Sequence, residues 1–464
     1  MNKYSLILFF CCLLGNVSAQ TLLNQFPIEL KKPSSHSQIF NTHNSKNEYF
    51  TFVSDKEKCT VLKYNAALFF KDSLSVNRPE KDFEFMSGVT FSANESPNLY
   101  WTSKDFEKIQ LVNFDLEKHS SSRLIYENDF SKEKVVDVFT AANAFHILTI
   151  TSENKLKFTR FSNTGKEEFI VDLDNKDPEK NTKTNADLVP SILDLGIVII
   201  DNQTFIPLQQ ATAKVKRYLN NGEYLLTFDK NNATTVCRII LSDFSLQKEQ
   251  FIYEKLDKNS GSNSFLHQNI LYQLTANSEK MVLTATDLPS KNTINTYTAN
   301  AKEEISFKNS PIFLHTDSKP RILKKTAQML SKINVNNLGI SVYTAPNYNL
   351  FTIGGVRDVA SGGNLLLGIG LSVGGAIVGT SVDMMDVIET THLQSIYFES
   401  LFDHNFNHIK KPFLPLYADA LGEFMDENNF SVQNIYRYKN FMILNYYDPK
   451  SKEIVMRKFE DFKE

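Results

Sequence analysis

The sequence is poor in cysteine, which limits how the fold can be held together. Cysteine occurs 4 times in 464 residues, and Cys11 and Cys12 both lie in an apolar run near the N-terminus. The other two, Cys59 and Cys237, are too few for a disulfide-stabilised scaffold. Both lie in strand-like stretches, so we expect two separate buried thiols, and a bridge between them is the alternative.

An excess of charge of either sign is also lacking. The chain has 50 Lys and Arg residues against 53 Asp and Glu residues, a formal net charge of −3 at pH 7. A protein that binds nucleic acid through its phosphates needs a basic face, and this composition provides no surplus of cations for one. We therefore expect no nucleic-acid partner.

The N-terminus has the pattern of an export signal. Lys3 precedes an apolar run over residues 6–14, and small residues end the segment at Ala19. This order of a cation, an apolar stretch and small residues is typical of a cleavable signal peptide. The apolar run is too short for a permanent membrane span. The sequence predicts that residues 1–19 are removed and that the mature chain is secreted or periplasmic.

Short strand-like segments are abundant. Residues 135–172 contain four of them, VVDVFTA, AFHILTIT, LKFTRFS and KEEFIVDL, separated by turn residues. Because apolar residues occupy both faces, we expect such a sheet to be covered on both sides. Similar units are found at residues 38–77, 87–126, 214–253 and 265–298. They recur about every 46–50 residues, with one longer interval, which is typical of four-stranded propeller blades.

Two further units are less regular. One covers residues 337–355 and continues at 395–406, and the other covers 434–459 and lacks a fourth strand. Residues 21–30 (TLLNQFPIEL) can supply that strand, which would join both ends of the chain in one sheet and hide its edges. The prediction is seven units, with six or eight as alternatives.

This organisation resembles secreted β-propeller proteins. The resemblance implies an all-β fold, a β-propeller of seven four-stranded blades closed by the N-terminal strand, in one domain over residues 20–464. A polar insertion at 173–190 and a Gly-rich apolar insertion at 356–386 interrupt that domain. Trp-Asp and kelch-type repeats are absent, so the resemblance identifies no family. Two β-sandwich domains meeting near residues 175–190 are the alternative architecture.

One short helix is predicted near residues 320–333. Asp317 or Ser318 can cap it, and Pro320 suits its first turn. Residues at helical spacing form one mainly apolar stripe, at Ile322, Leu323, Thr326, Met329, Leu330 and Ile333. The cations between them would form a solvated face.

The segment GGNLLLGIGLSVGGAIVGT (362–380) permits several interpretations. Residues 370–374 match the G-x-S-x-G turn of α/β-hydrolases, and a propeller followed by such a serine resembles the prolyl oligopeptidase family. The βα units required before the serine, and the acid and histidine required after it, do not fit. The glycines imitate a dinucleotide loop without its βαβ unit. Residues 359–382 are uncharged and long enough for a membrane helix, but acidic residues follow them and Arg357 precedes them, against the positive-inside rule.

We therefore interpret this segment as an apolar insertion between strands of a late blade, which contacts a partner. The predicted binding residues are Leu365, Leu366, Leu367, Ile369, Leu371, Ile377 and Val378. The partner would be a protein or another envelope component, and peripheral membrane contact through the insertion is a further option.

The sequence assigns no catalytic residue, no metal site and no cofactor. His392, His404 and His408 with Asp403 could share a metal only if a loop brought them together. The acidic stretch at 172–177 lacks the closing glutamate of a calcium loop.

The predicted function is that of a monomeric binding or scaffold module. His146 lies in a strand and is expected to be a hydrogen-bonded core or interface residue. The alternative is a hydrolase or lyase directed at glycans or peptides, whose carboxylates would gather at the propeller mouth from separate blades. Linear motifs do not reveal a site of that kind.

Overall fold

The computed structural model describes residues 20–174, 188–220, 222–230, 232–256, 260–315, 321–333, 337–358 and 393–462. Within these ranges thirty strands form seven sheets of four or five strands. The chain divides into two compact units, Met1–Ser73 with Leu414–Glu464 and Leu74–Phe413.

The smaller unit contains two sheets. In sheet order, they consist of β2 (Gln38–His43), β3 (Tyr49–Ser54), β4 (Lys58–Tyr64) and β5 (Phe70–Asn77), and of β1 (Gln20–Pro27), β30 (Glu453–Phe459), β29 (Phe441–Asp448) and β28 (Gln433–Tyr438). The helices are α1 (Pro33–His36) and α5 (Tyr417–Glu427). β1 pairs antiparallel with β30, from Gln20 opposite Phe459 to Pro27 opposite Glu453. The prediction that the N-terminal strand completes the last blade is confirmed.

The larger unit contains the other five sheets. Two have four strands in chain order, β6 (Phe85–Phe91), β7 (Pro97–Thr102), β8 (Lys108–Asp115) and β9 (Ser120–Glu127), and β10 (Lys134–Ala141), β11 (Ala144–Ile150), β12 (Leu156–Ser162) and β13 (Gly165–Val171). The third has β14 (Val198–Ile200), β15 (Val215–Asn220), β16 (Glu223–Lys230), β17 (Ala233–Ile240) and β18 (Leu246–Ile252). The fourth has β19 (Gly261–His267), β20 (Ile270–Ala276), β21 (Lys280–Asp287) and β22 (Thr293–Asn300).

The fifth sheet of this unit departs from chain order. Its strands lie in the order β24 (Arg321–Leu323), β23 (Ile312–His315), β27 (Leu393–Phe402), β26 (Tyr348–Asp358) and β25 (Leu338–Ala345). Segments that precede β25 in the chain therefore complete the blade. The helices of the larger unit are α2 (Leu188–Leu195), α3 (Leu208–Ala211) and α4 (Thr326–Lys332).

Burial follows the position of a strand in its sheet. Every residue of β3, β7 and β11 is buried, whereas β9 is almost wholly exposed. Apolar side chains from neighbouring sheets form continuous clusters, and Phe139, Phe158, Tyr224 and Phe228 belong to one of them. Strands covered on both faces need apolar residues on both faces, which explains the Val, Ile and Phe content of the repeated segments.

The predicted all-β fold of seven propeller blades is confirmed. Each of the five regular repeat units corresponds to one sheet, and the two irregular units account for the remaining two. In the third sheet of the larger unit the structure adds β14, which pairs parallel with β15, with Ile199 opposite Arg217.

The predicted helix is present at the end of its segment only. Residues Arg321–Leu323 pair with β23, so this part is a strand and Ile322 is 62% exposed. The helix begins at Thr326, where the Gln328 side-chain oxygen accepts the N–H groups of Lys324 and Lys325. The predicted capping residues Asp317 and Ser318, and Pro320 of the predicted first turn, lie outside the described residues. Thr326, Met329 and Leu330 are buried as the helical stripe predicted.

Helices α2 and α5 were not predicted. In α5, Tyr417, Leu421, Phe424 and Met425 are buried, at a spacing that puts them on one helix face. Across the described ranges, the helices are all too short or too polar to traverse a bilayer.

Candidate functional site

The predicted contact segment is attached to a long antiparallel hairpin. The seven predicted binding residues, Leu365, Leu366, Leu367, Ile369, Leu371, Ile377 and Val378, lie outside the described residues. The strands on either side, β26 and β27, pair from Asn349 opposite Phe402 to Asp358 opposite Leu393. The chain therefore leaves the sheet after Asp358 and returns to it at Leu393, the residue paired with Asp358.

Gly354 shows how closely these two strands approach. A Cβ atom at this position would lie 2.0 Å from the carbonyl oxygen of Ile396 and 2.7 Å from Cα of Tyr397. Any larger residue would have to displace backbone of β27, so glycine is required at this point of the hairpin.

Two of the residues considered as metal ligands, Asp403 and His408, have other partners. Asp403 Oδ1 accepts the N–H groups of Asn405 and Asn407 at 2.9 and 2.7 Å, which stabilises a turn. His408 Nε2 lies 2.9 Å from Asn309 Oδ1, and His392 is outside the described ranges. In those ranges, no three or more His, Cys, Asp or Glu side chains are grouped so that they could hold a metal ion.

His146 is buried in β11, as predicted for a core residue, but its hydrogen bonds are missing. Neither ring nitrogen makes a well-aligned hydrogen bond within the described chain. The ring stacks on Phe139, with centroids 4.7 Å apart and an angle of 7° between the planes. Burial lowers the pKa of His146 to about 4, a weak backbone contact at Ala144 opposes this, and Arg160 adds to the decrease. His146 is therefore neutral at pH 7.

A dense polar cluster surrounds Asp229 in β16. Its side chain is fully buried, and Oδ2 accepts Lys216 Nζ and the Ser264 N–H, both at 3.0 Å. Oδ1 accepts the hydroxyl groups of Ser264, Thr234 and Tyr253 at 2.7, 2.9 and 2.6 Å. Burial alone would raise the pKa of Asp229, but Lys216, Lys214 and the hydrogen bonds outweigh it and the pKa lies below the ordinary value. The carboxylate is held as an anion.

Side chains on one face of β15 connect this sheet to β19. Lys214, immediately before β15, donates Nζ to the Ser262 carbonyl at 2.6 Å. Two residues on, Lys216 donates Nζ to Asn263 Oδ1 at 2.9 Å. Tyr218 Oη accepts a backbone N–H from β19 at 3.2 Å. The period of two along a strand puts these three side chains on the same face.

The opposite face of β15 makes an ionic connection to β10. Arg217 Nε donates to Asp137 Oδ2 at 2.9 Å, and the hydroxyl of Tyr224 donates to the same oxygen at 2.9 Å. Arg217 also lies over the ring of Phe139, 5.7 Å from its centroid. Lys216 and Arg217, which are consecutive in β15, thus bind carboxylates on opposite faces of the strand. Lys216 also contacts β19, and Arg217 contacts β10.

These contacts limit the chemistry available here. The oxygens of Asp229 are occupied by five hydrogen bonds, so this carboxylate is poorly placed to accept a proton from a substrate. Asp137 is buried and held by Arg217 and Tyr224. Lys214 differs from Lys216, because its Nζ donates to a neutral group, the Ser262 carbonyl.

This cluster was not predicted from the sequence, although one signal for it was present. Residues 214–219 (KVKRYL) put three cations into a stretch that otherwise has the pattern of a buried strand. Cations in a buried strand need acceptors, and Asp229 follows the next apolar run, EYLLTF.

The cysteines are separate buried thiols, as predicted. Cys59 lies in β4 and Cys237 in β17, and in the described chain no disulfide joins them. Burial raises the pKa of the Cys237 thiol to about 12, with Lys248 opposing and Asp174 adding to the increase. Cys237 is therefore a poor nucleophile at neutral pH.

No protein-family model matches the chain, and none of the curated proteins matches it. Among solved structures, an uncharacterized protein from Listeria monocytogenes is similar with a TM-score of 0.32 and 9% identity, over 93% of this chain and 96% of that one. The WD40 domain of SCAP from fission yeast gives 0.27 and 8%, over 95% and 97%. The Dos1 propeller gives 0.27 and 8%, over 90% and 77%. The propeller architecture of this chain is defined by its own seven sheets.

Proposed function

We propose that this protein is an exported binding or scaffold module of the β-propeller type, which holds a partner through the uncharged, apolar part (359–382) of the segment at 359–392. The partner is a protein or another component of the cell envelope. The sheets act as a rigid support, and the segment supplies the contact.

The observation that carries this proposal is the register of β26 and β27. The two strands remain paired up to Asp358 and Leu393, where the segment begins and ends. By contrast, only Pro346 and Asn347 connect β25 to β26 in the same sheet. An insertion at the end of a well-paired hairpin can vary without disturbing the sheet, which is how binding loops are commonly carried.

The composition of the segment supports the same proposal. Residues 359–382 contain no charge and include seven glycines. The proposed contact residues are Leu365, Leu366, Leu367, Ile369, Leu371, Ile377 and Val378. Contiguous apolar side chains of this kind are typical of protein or membrane contact sites.

Export is proposed from the N-terminal pattern alone. N-terminal sequencing of the protein recovered from the envelope or culture medium should begin at Gln20 if residues 1–19 are a signal peptide. A mature chain beginning at Met1 in the cytoplasm would refute export and leave the binding proposal to be tested separately.

The binding proposal is tested by removing residues 361–380 and capturing partners from the envelope fraction. A matched variant keeps the length and the glycines but replaces the seven apolar contact residues with serine. We expect both variants to lose partner or membrane retention, with melting temperatures close to that of the unaltered chain.

Retention that is unchanged in both variants, with unchanged stability, would remove the segment as the contact surface. A loss of stability without loss of retention would show that the segment packs against the protein's own sheets. Retention lost only in the deletion variant would assign the contact to the backbone or glycines rather than to the apolar side chains.

A further inference from the structure

A lysine, a carboxylate and a side-chain amide meet in the interior where the sheet of β15 packs on β19. Nζ of Lys216 lies 3.0 Å from Oδ2 of Asp229 and donates to Oδ1 of Asn263 at 2.9 Å. The side chains of Lys216 and Asp229 have no exposed surface, and Asn263 is fully buried. An amine and an acyl group are thus held in contact beside an acid–base group, away from solvent.

The contact between Lys216 and Asn263 brings the amine close to a carbonyl carbon. Because Cγ and Oδ1 are joined by a bond of about 1.2 Å, Nζ lies within about 4.1 Å of Cγ. The amide is oriented from its other end, where Nδ2 donates to the carbonyl oxygens of Thr212 and Ala213 at 2.8 and 3.3 Å. The terminal torsion of asparagine is soft, so a rotation turns the face of Cγ towards Nζ. Groups held this close react without the entropy cost of meeting in solution.

The hydrogen bond from Lys216 to Asp229 provides the proton acceptor that the amine needs. Only a neutral amine is a nucleophile, and burial lowers the pKa of Lys216, although the charge of Asp229 opposes this. The path for the proton is already in place, because Nζ donates directly to Oδ2. The hydroxyl groups of Ser264 and Tyr253 bind Oδ1 at 2.7 and 2.6 Å and fix the carboxylate in that orientation.

We propose that Lys216 and Asn263 join in an intramolecular isopeptide bond, an amide between side chains that cross-links β15 to β19. One proton of Nζ passes to Asp229, and the neutral Nζ attacks Cγ of Asn263 to form the C–N bond. A second proton of Nζ passes to Nδ2, the Cγ–Nδ2 bond breaks, and ammonia leaves. The third proton stays on the new amide, so atoms and charge balance and no further reactant is needed. This inference goes beyond the proposed binding function and does not depend on it.

The reaction replaces a buried ion pair by neutral groups. Before it, Lys216 and Asp229 carry opposite charges away from solvent, which costs desolvation free energy. After it, the lysine nitrogen is part of an amide and Asp229 holds a proton. The bond also joins residues 47 positions apart in the chain and in two different sheets, so the unfolded chain keeps a closed loop. The two sheets therefore stay connected after denaturation.

The experiment is a peptide map of the folded full chain after denaturation and digestion with trypsin. Trypsin does not cleave at an acylated lysine, so we expect residues 215–217 to be joined to residues 259–280 in one product. The mass of this product should be about 17 Da below the sum of the two peptides, because ammonia has left. Tandem fragmentation should place the link at Lys216 and Asn263. Residues 259–280 recovered only as an unlinked peptide would overturn the proposal.

Three variants test the assigned roles. Asn263→Ala removes the acyl group, Asp229→Asn removes the proton acceptor at nearly the same size, and we expect neither variant to form the link. Lys214→Met is the matched control, because it removes a neighbouring lysine that donates to the Ser262 carbonyl, and the link should persist. A link that forms equally in folded Asp229→Asn would refute the role of the carboxylate, and a link lost in folded Lys214→Met would overturn the assignment to Lys216. If Asp229→Asn does not fold, the map of the unaltered chain decides.

Discussion

The larger and the smaller unit connect their sheets with different chemistry. In the larger unit a buried contact between sheets is ionic, from Arg217 of β15 to Asp137 of β10 at 2.9 Å, and the buried Lys216–Asp229 pair, at 3.0 Å, lies within the sheet of β15. In the smaller unit, buried contacts between the two sheets join neutral amides. Asn41 Nδ2 donates to Asn434 Oδ1 at 2.6 Å, and Asn445 Nδ2 donates to Asn41 Oδ1 at 2.8 Å.

This difference determines how each unit responds to mutation and to pH. A buried charge left without its counter-charge keeps its full desolvation penalty, whereas a neutral amide loses only its own hydrogen bonds. Burial lowers the pKa of His146 and His267 of the larger unit to about 4, and it also lowers the pKa of partly buried His43 in the smaller unit. We therefore expect the larger unit to be the less tolerant of substitutions and of acid.

Removal of Asp229 is expected to have the largest effect. Asp229→Ala leaves Lys216 buried opposite no anion and should reduce the free energy of unfolding of the larger unit by about 3–5 kcal/mol. Hydrogen exchange of β15 and β16 measures this locally, because two units need not unfold together. The double variant Asp229→Asn with Lys216→Met should recover part of the loss. A single-variant loss near 1 kcal/mol would show that the pair contributes little.

Acidification is expected to have the next largest effect on the stability of the larger unit, and the titration of His146 contributes to that effect. The folded pKa of about 4 lies below the ordinary 6.5, so the unfolded state binds more protons between these values. The contribution of neutral His146 to the free energy of unfolding is therefore fully present above pH 6.5 and is lost as the pH falls towards 4. Between pH 7 and pH 4.5 the loss should be about 2–3 kcal/mol.

The matched variant for this prediction is His146→Phe, which keeps a ring against Phe139 and removes the titration. Denaturant unfolding of the larger unit, followed by hydrogen exchange at both pH values, should show a smaller acid effect in the variant. An identical pH dependence in both proteins would assign the acid sensitivity to other groups, of which His267 is the first candidate.

The sheets were predictable from sequence because their signal is local. A period of two with apolar residues on both faces identified the strands of residues 135–172 to within one or two residues of β10 to β13. The pairing of β1 with β30 was also predictable. The last repeat unit lacked a fourth strand, and the N-terminal segment contained a strand that belonged to no other unit. Helix α5 had its own local signal in the spacing of Tyr417, Leu421 and Phe424, which the strand pattern around it concealed.

The polar cluster was not predictable in the same way. The cations of 214–217 are visible in the sequence, but several of their acceptors come from other sheets. Asp137 lies in β10 and Asn263 in β19, and no periodicity within a strand tells which residue of a neighbouring sheet faces Arg217 or Lys216. Such contacts depend on the packing of one sheet on another, which sequence patterns specify only as apolar or polar.

The smallest expected effect is in the amide network of the smaller unit. Asn41→Ala removes the hydrogen bonds to Asn434 and Asn445 and should reduce the free energy of unfolding by about 1–2 kcal/mol, well below the loss for Asp229→Ala. Because all the groups involved are neutral, the loss should be the same at pH 5 and pH 8. Hydrogen exchange of β2 and β28 at both pH values measures it. A loss that equals the effect of Asp229→Ala, or one that changes with pH, would mean that charge is not what distinguishes the two units.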